Sequence, residues 1–171
     1  MIEPDVLQTI QALPGVMSVD ETVSNINVRG GSHDQNLILW DGIKMYQSGH
    51  FFGLVSAINP YLITNVNVSK NGSSVIYGDG VSSVIDMRQS GTLDNDFKAG
   101  VGFNLISADA FAKVPLSKKT EIQVSARRSI TDVIITPTYD QYFKRVFQDS
   151  DFSNSNVSVA KNEQFYFYDT S

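Results

Sequence analysis

After Gly91 the chain repeats a pattern that leaves few folds open to it: apolar side chains stand at every second position, with polar or small ones between. Ala99, Val101, Phe103 and Leu105 fall on one face of an extended segment, and Lys98, Gly100, Gly102 and Asn104 on the other. Side chains of a strand alternate between faces, so a two-residue period selects a sheet with one apolar side. The pattern returns at Ala108, Ala110, Ala112 and Val114 against Asp109 and Lys113, and most cleanly at Ile122, Val124 and Ala126 against Glu121, Gln123, Ser125 and Arg127. A fourth segment, Phe165 to Tyr168, is aromatic on both faces. Connections are short at Ile106-Ser107 and Ser117 to Lys119, then long and polar from Ser129 to Asn162. Strands of roughly nine residues, with short turns at one end and a long loop at the other, are the signature of a transmembrane β-barrel. Periodicity alone favours a soluble antiparallel sheet with one face on a core. The membrane reading requires most strands to lie beyond Ser171, because four cannot close a barrel.

Residues 1 to about 90 have a different texture. Pro4 suits a first helical turn, Val6, Leu7, Ile10 and Leu13 fall at helical spacing, and Pro14-Gly15 ends the run, which predicts a helix over 4–13. Ile26 and Val28 alternate with polar neighbours as a short strand. Leu37 to Trp40 form another, ending at the hairpin dipeptide Asp41-Gly42, with Ile43 to Tyr46 as its return. Gly49 to Ile63, broken by Asn59-Pro60, has room for a helical turn on each side of the proline. Val66 and Val68 make a strand, "NGSSVIYGDG" a glycine-rich loop, and Val84 to Met87 a last strand. Interleaved helices and strands predict a small α+β domain.

Several functions are excluded. The 13 Lys and Arg are scattered in a chain of net charge -5, so no basic stripe meets a phosphate backbone and nucleic acid is not a partner. There is no cysteine for a disulfide or thiolate metal site. The longest nearly apolar run, Phe51 to Ile58, is short of the about 20 residues that a membrane helix needs. Met1 to Pro4 show no signal-peptide pattern, and the end at "FYFYDTS" falls inside an aromatic alternation, so the chain reads as cut at both ends. His33 and His50 have no metal-ligand spacing. Asp149, Asp151, Ser153 and Asn154 imitate the start of a calcium loop, but Asn154 and Ala160 stand where glycine and glutamate are required. "GDG" at 78–80 lacks the Lys and Ser or Thr of a phosphate loop. With no Ser, His and acid trio and no paired carboxylates, neither an enzyme nor a cofactor site is expected.

Taken in order, "DVLQTIQALPGV", "INVRGGSHDQNLILWDGIKMY", "HFFGLVSAINPYLITNVNVSKNGSSVIYGDGVSSVIDM" and "FNLISADAFAKVPLSKKTEIQVSARRS" resemble the plug domain and first barrel strands of a TonB-dependent outer-membrane receptor, closest to the ferric-siderophore type of Bacteroidetes. In that pattern a helix ends in "LPGV", and a "VRGG" turn, a "NLILLDG" hairpin and a "YGG…SSVLD" exit follow. The sequence departs from it at "KNGSSVIYGDG", around Asn71 and Asp79. The resemblance implies a barrel of about 22 strands filled by its N-terminal plug. It makes 1–90 the plug, 91–171 the first four wall strands, 129–162 an extracellular loop and 117–119 a periplasmic turn. The implied setting is the outer membrane of a Gram-negative bacterium. The implied partners are TonB, through an upstream segment, the remaining barrel, outer-membrane lipid, and a scarce nutrient such as a ferric siderophore. Polar sets facing a wet lumen and apolar sets facing lipid agree with this, since a charge on the lipid face costs about 2–4 kcal/mol at the midplane.

Within that frame the plug apex carries Arg29, His33, Asp34, Gln35, Tyr46, Gln47 and His50 as candidate ligand contacts. Arg29 has a competing role, anchoring the plug to a wall carboxylate such as Asp109 or Glu121. Phe51 and Phe52 suit core packing, and Tyr46, at a strand end, suits the pocket. Gly30, Gly31, Asp41, Gly42, Gly78 and Gly80 read as turn formers. Asp109, Glu121 and Arg127 are candidate plug–barrel contacts. Arg127 and Arg128 are placed either to attract anionic ligands or lipopolysaccharide, or to bridge wall and plug. The alternative from another class is a soluble, exported β-rich module for ligand binding or adhesion. On the transporter reading, residues 1–90 expressed alone are expected to be soluble and folded, and residues 91–171 to aggregate through open strand edges. A soluble monomer of 91–171 in sedimentation would contradict that reading.

Overall fold

A computed structural model describes residues 5–18, 22–93, 95–137, 139–141 and 166–171. The first element is helix α1, Val6–Gln11. Asp5 caps it, accepting from the backbone N–H groups of Leu7 (2.9 Å) and Gln8 (3.2 Å), two of the donors that a helix start leaves unpaired. The helix is shorter than the predicted 4–13. Ala12 closes it and Leu13, which precedes Pro14, is 38% exposed and outside the buried face, because a residue before proline is disfavoured in the helical region. Leu7 and Ile10 are the buried residues.

Strand β1, Val16–Met17, pairs antiparallel with β2, Asn27–Val28. Strand β3, Asn36–Trp40, turns at Asp41-Gly42 into β4, Ile43–Lys44. Two further strands, β7 (Asn65–Lys70) and β8 (Ser83–Arg88), complete a four-stranded sheet of order β4-β3-β8-β7 in which β3 and β8 run parallel. A central parallel pair is covered on both sides. Accordingly Ile38, Ile85 and Met87 pack on one side with Leu7, Ile10, Ile26, Val28 and Ile58, while Leu37, Leu39 and Val84 pack under Tyr77 on the other. Between the two halves of this sheet the chain makes a small separate hairpin, β5 (Gly49–His50) with β6 (Val55–Ser56), around a 3-10 turn at Phe51–Gly53. A second 3-10 turn, Pro60–Leu62, is capped by the Asn59 side chain accepting from the Tyr61 N–H at 3.1 Å.

The remaining strands, β9 (Lys98–Phe103), β10 (Ser107–Ser117), β11 (Thr120–Ser129) and β12 (Tyr168–Thr170), form an antiparallel meander in sequence order. Its faces separate as the alternation requires: Val101 and Phe103 are over four-fifths exposed, and Ile122 and Val124 are about half exposed, while Ser107, Ser125 and Ser129 are buried. The last strand begins later than the Phe165 to Tyr168 segment picked out by its aromatics. Pairing with Ala126 to Arg128 starts at Tyr168, and Phe167 is buried ahead of it. Most of the 129–162 loop, including the calcium-loop-like stretch from Asp149, lies outside the described residues.

Burial raises the Asp5 pKa above the usual carboxylate value, and the capping amides and the Arg127 charge pull it down less strongly. A raised folded pKa means that the folded chain holds the proton more tightly. The Asp5 contribution to stability is therefore fully present below the unfolded pKa and is lost as pH rises through the folded one. Asp5→Asn, which keeps the cap without ionising, is expected to flatten this part of the denaturation profile above the ordinary carboxylate pKa, whereas Asp5→Ala costs about 1 kcal/mol through the lost cap; urea unfolding of the two variants over a pH series that starts below that pKa measures both.

Candidate functional site

The exposed loop after β2 reverses on Arg29 (φ 47°) and Gly30 (φ 87°), closed by the Gly31 N–H donating to the Val28 carbonyl at 2.9 Å. The two residues with positive φ are thus Arg29 and Gly30 rather than the two glycines. Gly31 is needed for space, since a Cβ there would run into Ser82, whose hydroxyl donates to the Val28 carbonyl at 2.7 Å. Arg29, His33, Asp34 and Gln35 share this loop and are exposed, with the Ser32 hydroxyl bonded to Asp34. The Arg29 stem lies along Gly15. Tyr46 and Gln47 are exposed on the following segment, Tyr46 beneath the Lys44 ammonium, which also pairs with Asp79 at 2.8 Å. Asp41 and Gly42 form a reversal with φ of 47° and 81°. Around residue 79 the positive φ belongs to Asp79, and Gly80 instead lets the backbone approach Val84, whose Cγ2 would be 2.7 Å from an added Cβ. A Cβ at Gly78 would meet open space.

His50 does not join the exposed group. It faces the meander, where Nε2 lies 2.7 Å from Asp169 Oδ1 and the ring stacks on Phe167 at 4.4 Å between centroids. The other Asp169 oxygen accepts from Arg127 at 3.2 Å (Nε) and 2.8 Å (Nη2), and the same Nη2 donates to the Ser56 carbonyl on β6. The Arg127 side chain is 9% exposed, so these contacts replace its water. A cation in such a place needs every partner it has. Phe51 meets Phe167 and Tyr139 edge-on at 5.6 and 6.2 Å, and Tyr61 stacks on Phe111 of β10 at 4.5 Å. Phe111 has room because β9 carries Gly100 beneath it, where a Cβ would come within 2.5 Å of the ring.

A cavity of about 550 Å³ opens in this seam, lined by Asp5, Ser56 and Tyr61 from the domain and Asn104, Asp109 and Arg127 from the meander. Asp109 Oδ2 is buried without a hydrogen-bond partner among the described residues and packs over Gly102. Glu121 accepts from Gln123 near the turn end of β11. Ser56, Tyr61, Phe111, Tyr139, Phe167 and Asp169 were missed by sequence reasoning. The available signal was that Phe167 and Asp169 share one parity, which becomes useful only with the register to Arg127. The seam offers directional polar contacts that separate without covalent chemistry, so it is suited to holding two units together reversibly. Removing Arg127 leaves Asp169 Oδ2 and the Ser56 carbonyl without its contacts, while Asp169 Oδ1 keeps His50. Arg127→Ala is expected to cost about 3 kcal/mol and to speed proteolysis of residues 5–88 in the assembled protein, with Arg127→Lys intermediate because it loses the forked contact. Limited trypsin digestion reads both.

Residues 3–84 match the family model described as TonB-dependent Receptor Plug Domain. No curated protein matches the chain. The matched residues run from the capped helix into β8 and contain the exposed loop, the β3–β4 hairpin and the His50 segment. Over residues 3–84 the domain seated on the antiparallel meander is therefore similar to the plug domain of the TonB-dependent receptors.

Proposed function

We propose that the chain is the plug, to about residue 90, and the first four barrel strands, 91–171, of a TonB-dependent transporter, a gated importer with no chemical step of its own. A scarce nutrient, of which a ferric siderophore is the class suggested by the resemblance, binds at the outward face. Force delivered by TonB through an upstream segment then shifts the plug and lets the nutrient into the periplasm. The observation that carries this reading is the two-faced meander: its polar face is seated on the plug through Arg127 and Asp169, while Val101, Phe103, Ile122 and Val124 stand exposed on the other, as a lipid-facing wall requires. Arg29, His33, Asp34 and Gln35, with Tyr46 and Gln47, supply exposed donors, acceptors and one aromatic face for a polar or anionic ligand. His50, Asp109 and Arg127 belong to the plug–barrel seam, with the 129–162 loop extracellular.

The test uses the full-length receptor in a Gram-negative host stripped of its own iron receptors. The protein is expected in the outer-membrane fraction as a heat-modifiable band. Iron-55 uptake from a panel of ferric siderophores is expected to be lost when TonB is deleted and to fall about tenfold when Arg29, His33, Asp34 and Gln35 are all replaced by alanine, a loss equivalent to about 1.4 kcal/mol. Recovery as a soluble periplasmic protein would instead favour an exported binding or adhesion module.

A further inference from the structure

We infer that Asn71-Gly72, just after β7, is a site of spontaneous covalent modification, where the asparagine cyclises onto the Gly72 nitrogen and is converted by water to aspartate or isoaspartate. The chemistry is independent of the transporter reading. Four observations converge on this pair. It is the one Asn-Gly in residues 1–171, and glycine is the neighbour that least obstructs attack; a Cβ at Gly72 would meet nothing within 4 Å, so the approach is open. Both residues are exposed. The nucleophile is not committed elsewhere: among the described residues the Gly72 N–H makes no hydrogen bond, and the Asn71 side chain is bonded to no other residue. The backbone is also loosely held, since strand pairing ends at Lys70 with Ser83, and the next contact, the Asn71 N–H donating to the Ser82 carbonyl, is 3.4 Å long. Three other asparagines lack this freedom. The Asn36 amide donates to the Ile26 and His33 carbonyls, Asn104 Oδ1 accepts from the Ile106 and Ser107 N–H groups, and Asn59 precedes Pro60, which has no N–H to give up.

In the reaction the Gly72 nitrogen, its proton lost to hydroxide, attacks Asn71 Cγ. A C–N bond forms, the bond from Cγ to Nδ2 breaks, and Nδ2 takes a proton from water and departs as ammonia. Water then opens the succinimide ring. Cleavage between Cγ and the nitrogen gives aspartate; cleavage of the original peptide bond gives isoaspartate, whose main chain is longer by one methylene. Either product adds a negative charge next to the Ser82 contact, and the second also lengthens the chain where β7 leaves the sheet. Ser82 braces the exposed loop there: its hydroxyl donates to the Val28 carbonyl at 2.7 Å and its N–H to the Gln35 carbonyl at 3.0 Å. Conversion at Asn71 therefore loosens the loop that carries Arg29, His33 and Asp34.

The test ages the purified full-length protein in mildly alkaline buffer and cuts it with trypsin, which releases the peptide that follows Lys70. Isoaspartate and aspartate are expected to accumulate together at position 71, about tenfold faster than at Asn36 or Asn104, which must first break native hydrogen bonds. Asn71→Gln, whose extra methylene prevents the five-membered ring, is expected to remain unconverted. Hydrogen exchange of the Gly31 and Ser82 N–H groups is expected to be about tenfold faster in the aged protein than in the fresh, while Val84 to Met87 keep their protection. Aspartate without isoaspartate, or conversion that needs prior unfolding, overturns the site. Unchanged exchange at Gly31 and Ser82 in fully converted protein overturns its effect on the loop.

Discussion

Arg127 carries a charge that has almost no water and must be satisfied from two directions, by Asp169 on the neighbouring strand and by the Ser56 carbonyl across the seam. The same strand turns Ile122, Val124 and Ala126 the other way. Neither face of this sheet is therefore stable in isolation: one needs an apolar surround, and the other needs a polar body pressed against it. Much of the local sequence follows from that demand. Gly100 and Gly102 leave out the side chains that would collide with Phe111 and Asp109, and Phe111 is thereby free to meet Tyr61 on the N-terminal domain.

The strands of the meander were legible because their signal is local. A two-residue period, the short turns at 104–106 and 118–119, and polar inward positions need no knowledge of distant partners. The Asp41-Gly42 reversal is local in the same sense, with both residues at positive φ. The N-terminal sheet was legible only in part. "NLILW" is apolar on consecutive positions, and Val84-Ile85 is a shorter run of the same kind, as a doubly covered strand is. Nothing in either segment says that the two lie side by side in parallel, Leu37 beside Val84. The cap at Asp5 was hidden by Pro4, which also suits a helix start, and the helix end was misplaced because Leu13 has the right spacing but an exposed position.

The site divides along the same line. Polar residues on one loop, Arg29 to Gln35, are grouped by sequence proximity alone. His50 looks like a member of that group until its partner 119 residues later is known. The register of β12 on β11 sets Asp169 opposite Arg127, and with it the direction in which His50 faces. An aromatic alternation placed a strand near residue 165, yet the pairing begins at Tyr168 and the useful carboxylate follows it.

Backbone conformation adds a criterion that side-chain chemistry does not. Among the described residues, five that are not glycine have positive φ: Arg29, Asp41, Phe51, Asn71 and Asp79. Asp and Asn tolerate that region because their short polar side chains bond locally. Arg and Phe have no such compensation. If reversal of the chain were the sole requirement at 29 and 51, glycine or asparagine would meet it at lower cost. The side chains kept there are a guanidinium on the exposed loop and a ring set against Phe167 and Tyr139. The unfavourable backbone is thus retained where the side chain has a surface to meet, and the two places where that happens are the exposed loop after β2 and the Phe51–Gly53 turn that packs on the meander.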